Sequence, residues 1–160
     1  MDILFLCVII FLFLLAVFDL SVGVSNDAVN FLNSAIGSKA ASFKRILIVA
    51  SIGVFVGAAM SNGMMDIARH GIFRPEHFSF YDLICIFMAV MVTDIILLDI
   101  FNSLGMPTST TVSMVFELLG ATFVVALIKM AGGIDLGFND LLNTEKALSV
   151  ILGIFLSVAL

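Results

Sequence analysis

Apolar runs at 3–22, about 46–62, 81–102, 110–130 and 147–160 take up most of this 160-residue chain and set what it can fold into. A helix that crosses the hydrocarbon core of a bilayer needs about 20 apolar residues at about 1.5 Å of rise each. The first four runs are read as such helices. The fifth ends in Leu156-Ser157-Val158-Ala159-Leu160, still apolar, as though a span were cut in its middle. The expectation is therefore a front part of a longer membrane protein, or half of an assembly that another chain completes.

Composition points the same way. With 62% hydrophobic and 12% charged residues, there is too little polar surface to coat a soluble globule, so the fold class is all-α integral membrane. The formal net charge of −5 and the scatter of the seven Lys and Arg residues exclude a nucleic-acid partner, whose phosphates need clustered cations. The first run is a retained span and not a secretory signal. Asp2 stands where a positive n-region belongs, and no small-residue cleavage pattern follows. Cys7 and Cys85 lie inside apolar stretches and are expected as small buried hydrophobes, not as a disulfide.

Lys39, Lys44 and Arg45 gather after the first span, whereas residues 63–80 mix Arg69 and Arg74 with Asp66 and Glu76. The positive-inside bias puts 38–45 in the cytoplasm and the N-terminus and 63–80 outside. Gly53, Gly57 and Ser61 repeat every four residues, a face on which another helix can approach closely and which is expected to pack within the chain.

Polar groups at membrane depth are costly and mark function. Two clusters stand out. In the first, Ser21 to Ser38, Gly23 lowers helix propensity and Ser25, Asn26 and Asp27 compete with the backbone for its hydrogen bonds, which predicts a helix break near 23–27. A half-helix over 28–37 would then turn its free N–H groups toward an anion. Asp27, Asn30, Asn33 and Ser34 follow one helix face at spacings of three and four. The second cluster is Gly105-Met106-Pro107-Thr108-Ser109-Thr110-Thr111-Val112-Ser113. Gly and Pro end one span there, and Thr108 or Ser109 caps the next helix, which begins with several hydroxyls and unpaired N–H groups.

On these residues the chain resembles the inorganic phosphate transporters, the PiT family. Asn26-Asp27-Ala28-Val29-Asn30 falls on the Asn-Asp-x-x-Asn core of that family's Gly-Ala-Asn-Asp-Val-Ala-Asn-Ala motif. Ser34 falls on its following Thr, and Gly37-Ser38 on its Gly-Ser. Gly105-Met106-Pro107-Thr108-Ser109-Thr110-Thr111-Val112 falls on the family's Gly-Leu-Pro-Val-Ser-Thr-Thr-His. Val24-Ser25 replaces the Gly-Ala, and Val112 replaces the His, so no proton-handling role of that His carries over. The match covers about residues 1–130, one family repeat, and the chain has one copy of each motif.

The resemblance implies a secondary active transporter of inorganic phosphate, with residues 1–160 as the N-terminal one of two inverted-type repeats. That repeat would have a broken first helix, a re-entrant or half-helix segment at 103–130, and a last span truncated at 147–160. Phosphate needs several donors and an acceptor for its O–H, which fits Asn26, Asp27, Asn30, Ser109, Thr110 and Thr111 as substrate-binding residues. Asp27, Asn30 and Ser34 are the coupling-ion residues for Na+ or H+, with Asp27 central because hard cations prefer oxygen ligands. No cofactor and no metal beyond Na+ is expected. The expected partners are inorganic phosphate, the lipid bilayer, and either a second repeat or a homo-oligomer, at the plasma (inner) membrane.

Asp94, Asp99 and Glu117 lie within apolar runs, where one of them is expected to serve a pathway or an ion and the others to pair locally. Asp19 sits near the end of the first run. His70 and His77 are seven apart in a polar loop, without a ligand pattern around them. An enzyme is not expected, since neither a nucleophile with its base nor a His-Glu-x-x-His occurs. The alternatives are a carrier of another small oxyanion, sulfate or a carboxylate, and a non-transporting membrane subunit.

Overall fold

The computed structural model describes residues 3–62, 71–106, 108–133 and 137–159. In chain order the helices are α1 (Ile3–Gly37), α2 (Phe43–Ala59), α3 (Phe80–Ser103), α4 (Thr110–Ala131), the single turn α5 (Phe138–Leu141) and α6 (Thr144–Ala159), with a short 3-10 turn at Pro75–His77. Among the described residues no strand forms, and the protein is all-α. α1, α3 and α4 are long and apolar enough to cross a membrane. The chain is an integral membrane protein. α2, at 17 residues, and α6, at 16, fall short of the about 20 residues that a span needs.

The chain divides into two compact units, Met1–Met64 with Ile95–Thr110, and Met65–Asp94 with Thr111–Leu160. In the first, α1 does not break. It runs for 35 residues without interruption, about 52 Å at 1.5 Å per residue, against a hydrocarbon core of about 30 Å. The polar residues that were expected to open it find partners that leave its ladder intact. The hydroxyls of Ser21 and Ser25 each donate to the carbonyl four residues earlier, at 2.8 Å. Asn26, Asp27 and Asn30 bond residues far along the chain. Gly23 is an ordinary helical position, where a Cβ would meet the Leu98 and Thr110 side chains at 3.9 Å.

α2 packs against α1 along a groove between Phe31, Leu32 and Ala35 on one side and Ile46, Val49 and Ala50 on the other. Its small-residue stripe does not pack within the chain as expected. A Cβ on Gly53 or Gly57 would meet nothing within 4 Å, because the groove against α1 lies along the first turns of α2, at Ile46, Val49 and Ala50. The α3 end is tightly turned. Gly105, at φ +69°, sends its N–H to the Asn102 carbonyl at 3.1 Å while the Met106 N–H reaches the Phe101 carbonyl at 2.9 Å. This pairing of a left-handed glycine with two orphan carbonyls is a Schellman motif.

In the second unit a buried cluster of Ile72, Phe73, Phe78, Ile86, Val115, Leu118, Ala126, Leu141 and Leu142 forms the core. Val115, Leu118, Thr122 and Ala126 recur at three and four along α4, which is why one stripe of that helix is buried. The Thr122 hydroxyl in this stripe is satisfied by the Leu118 carbonyl at 2.7 Å. The segments flanking the core clasp each other through main-chain bonds, Arg74 N–H to the Leu141 carbonyl at 3.0 Å and Asn143 N–H to the Ile72 carbonyl at 2.9 Å. Asp82 and Ser79 cap the start of α3 reciprocally. Asp82 also takes Lys129 Nζ at 2.7 Å, which joins the last turn of α4 to the first turn of α3. Cys7 and Cys85 are free thiols on exposed faces and not the buried residues the sequence suggested.

Candidate functional site

The two polar clusters meet. Asn26, fully buried on α1, donates from Nδ2 to the Thr108 carbonyl at 2.6 Å and accepts the Thr108 N–H at Oδ1 at 3.2 Å. Its amide therefore behaves like one rung of a β-ladder, holding the main chain of the α3–α4 connection by both of its polar groups. Asn30, one turn further on, adds a longer Nδ2 bond of 3.3 Å to the same carbonyl. Between them, the Asp27 carboxylate accepts the Thr110 hydroxyl at 3.3 Å on each oxygen.

The spacing explains the convergence. Asn26 and Asn30 are four apart and so lie one above the other on α1, and Asp27 flanks them on the same side. The Gly105 turn ends α3, and Thr108, outside any helix, offers its N–H and C=O to Asn26. α4 begins at Thr110, which puts Ser109 at the capping position.

A continuous match to the phosphate transporter family model covers residues 23–160. The chain belongs to that family. Neither a curated protein nor a solved structure matches it. Membership in the phosphate transporter family supports a carrier of inorganic phosphate, and the matched region holds both polar clusters.

Within the phosphate transporter family chain, the residues singled out from sequence fall into three groups. Asn26, Asp27, Asn30 and Thr110 are brought together. Ser109 adjoins them in sequence and is exposed, and Thr111 follows on the exposed side of the first turn of α4. Ser34 stands two turns beyond Asp27, about 10 Å along the helix, on an exposed face. Thr108, noticed in the sequence only as a helix cap, is the pivot, and it acts through its main chain, which no side-chain pattern announces. Pro107 and His70 lie outside the described residues, and His77 sits in the 3-10 turn. Among the described residues, no three His, Cys, Asp or Glu side chains gather as metal ligands.

The remaining intramembrane acids separate. Asp99 is exposed, while Asp94 is buried and Glu117 is partly buried and accepts the Ser113 hydroxyl at 2.8 Å. The Ser113–Glu117 bond follows an i, i+4 spacing that the sequence displayed and that the motif reading passed over.

Proposed function

We propose that this chain is one repeat of a secondary active transporter that carries inorganic phosphate across the plasma (inner) membrane with Na+ or H+ as the coupling ion, and that a second repeat or a second copy of the chain supplies the rest of the site. The observation that carries this reading is the meeting of Asp27 with the Thr110 hydroxyl and of Asn30 with the Thr108 carbonyl beside it. Phosphate near neutral pH needs several donors for its oxygens and one acceptor for its O–H. Asn30 and the hydroxyls of Ser109, Thr110 and Thr111 are the donors. Asp27 is the acceptor, or it holds a cation between itself and the anion. Its two 3.3 Å contacts with Thr110 are long for O–H···O bonds, so a better-placed ligand displaces them at small cost.

Asn26 has a different part. With its amide engaged by Thr108, it positions the segment that carries Ser109 and Thr110 and leaves the substrate to its neighbours. Ser34, two turns away, has the weakest claim to the coupling ion. Asp27→Asn, which keeps the volume and removes the charge, tests the assignment. Coupled phosphate uptake is expected to vanish while membrane insertion stays intact, and full uptake by inserted Asp27→Asn protein would refute the reading. Sulfate added to the same assay separates the other oxyanion carriers: it competes strongly at a sulfate site and weakly at one with an Asp acceptor.

A further inference from the structure

The second unit contains two acids that the phosphate cluster does not use. Asp94 of α3 is 9% exposed and Glu117 of α4 is partly buried, on helices that each cross the membrane by length and composition. Their carboxyl groups approach each other within hydrogen-bonding reach. Ionised carboxylates are acceptors only, and Asp94 Oδ1 and Glu117 Oε2 accordingly have no donor among the described residues. One oxygen of Glu117 is held by the Ser113 hydroxyl at 2.8 Å, which aims the carboxylate. Among the described residues the ion pair of the unit is Lys129 with Asp82, 12 residues from Glu117 along α4 and 12 from Asp94 along α3, about 18 Å in each case. Lys129 is thus committed elsewhere. On the other side of α4 the residues from α6 are Thr144, Ala147, Leu148 and Ile151, none of them charged.

Two carboxylates facing each other, each with one oxygen that finds no donor among the described residues, repel in surroundings of low dielectric unless something positive lies between them. The site is also open. Glu117 lines a half-open groove of about 490 Å³ with Cys85, Ala89, Thr93, Gly120 and Val124, so a small ion reaches the carboxylate without unpacking the core.

We propose that Asp94 and Glu117 form a binding site for one small monovalent cation, a proton or Na+, held between the two carboxyl groups with the Ser113 hydroxyl orienting Glu117. A proton bound there makes one carboxyl a donor to the other. A bound Na+ takes oxygen ligands from both and leaves both ionised. In either form the pair carries one negative charge with its cation and two without it. As a coupling site it rests on the transport reading above; as a cation site it does not.

The test uses the purified chain in lipid nanodiscs without phosphate. Infrared difference spectra are recorded across pH and across Na+ concentration, and melting temperature is recorded across Na+ concentration, for the wild type, D94N, E117Q, the double variant D94N/E117Q and Asp27→Asn. If the cation is a proton, the wild type has a protonated-carboxyl band that titrates with pH and that D94N and E117Q lose. If it is Na+, the carboxylate bands and the melting temperature respond to Na+ in the wild type and not in the double variant. The double variant, neutral at both positions, keeps the readout should a single variant fail to fold. Spectra and melting curves of the wild type that respond to neither ion would overturn the proposal, with or without the variants. So would a response that disappears in Asp27→Asn and survives in D94N/E117Q, which assigns the cation to the phosphate cluster. Because no phosphate is present, failure of the phosphate reading leaves this result standing.

Discussion

Replacing Asn26 by Ala removes both bonds to the Thr108 main chain at once, and the geometry gives the cost. The Thr108 N–H loses its partner, and leaving such a buried donor unsatisfied costs about 1–3 kcal/mol. The Thr108 carbonyl loses its 2.6 Å bond but keeps the 3.3 Å bond from Asn30, so its share is a net bond of about 0.5–1.5 kcal/mol. Since Thr108 is only half-buried, the sum belongs in the lower half of the combined range, about 1.5–3 kcal/mol. Asn30→Ala, which removes the longer and more exposed bond alone, should cost under about 1 kcal/mol. Asn26→Asp makes the sharper comparison. It keeps the shape and the acceptor for the Thr108 N–H, but it turns the donor that faces the carbonyl at 2.6 Å into a second acceptor and sets a new negative charge beside Asp27. It should therefore destabilise at least as much as Asn26→Ala. Unfolding of the purified protein in mixed micelles, followed by circular dichroism against denaturant fraction, measures all three. Asn26→Ala within about 0.5 kcal/mol of wild type, or Asn26→Asp close to wild type, would refute the clamp, because either result means the amide does no more than fill space.

Two further substitutions probe the backbone around the site. Gly23→Ala should raise stability by about 0.5–1 kcal/mol, since Gly23 is helical and its Cβ has room at 3.9 Å, and a loss in the same unfolding assay would mean that α1 opens there. Gly105→Ala should lower stability by about 1–2 kcal/mol because of its φ of +69°, and it should weaken phosphate binding in an equilibrium assay because the turn aims Thr108 at Asn26.

The spans were legible because an apolar run of about 20 residues leaves a chain in lipid few other choices. The pairing of the two polar clusters was legible only through their motifs, since hydroxyls and amides at helix spacing on α1 say nothing about what they meet. The broken helix was the informative error. Gly23, Ser25, Asn26 and Asp27 each lower helix propensity, but propensity is a local quantity, and a partner 82 residues away in sequence outweighs it. The glycine stripe of α2 failed for a related reason. Spacing tells which face permits close approach but not how far along it a partner reaches, and the groove against α1 lies along the first turns of α2, before Gly53. Asp94 and Glu117 were each conspicuous, yet their meeting depends on how α3 and α4 are apposed across the second unit, which neither helix encodes alone.

The bond between Asn26 and Thr108 also sets an order in time. Residue 108 is synthesised 82 residues after residue 26, which at roughly 5–20 residues per second is about 4–16 s. For that interval α1 carries a buried-type amide and a carboxylate with no partner from its own chain, in or beside a bilayer that penalises both. Newly made α1 is therefore a provisional helix, held at the translocon or the lipid–water boundary. Its final depth is fixed only when the α3–α4 connection arrives, so α1, made before α3 and α4, settles after them.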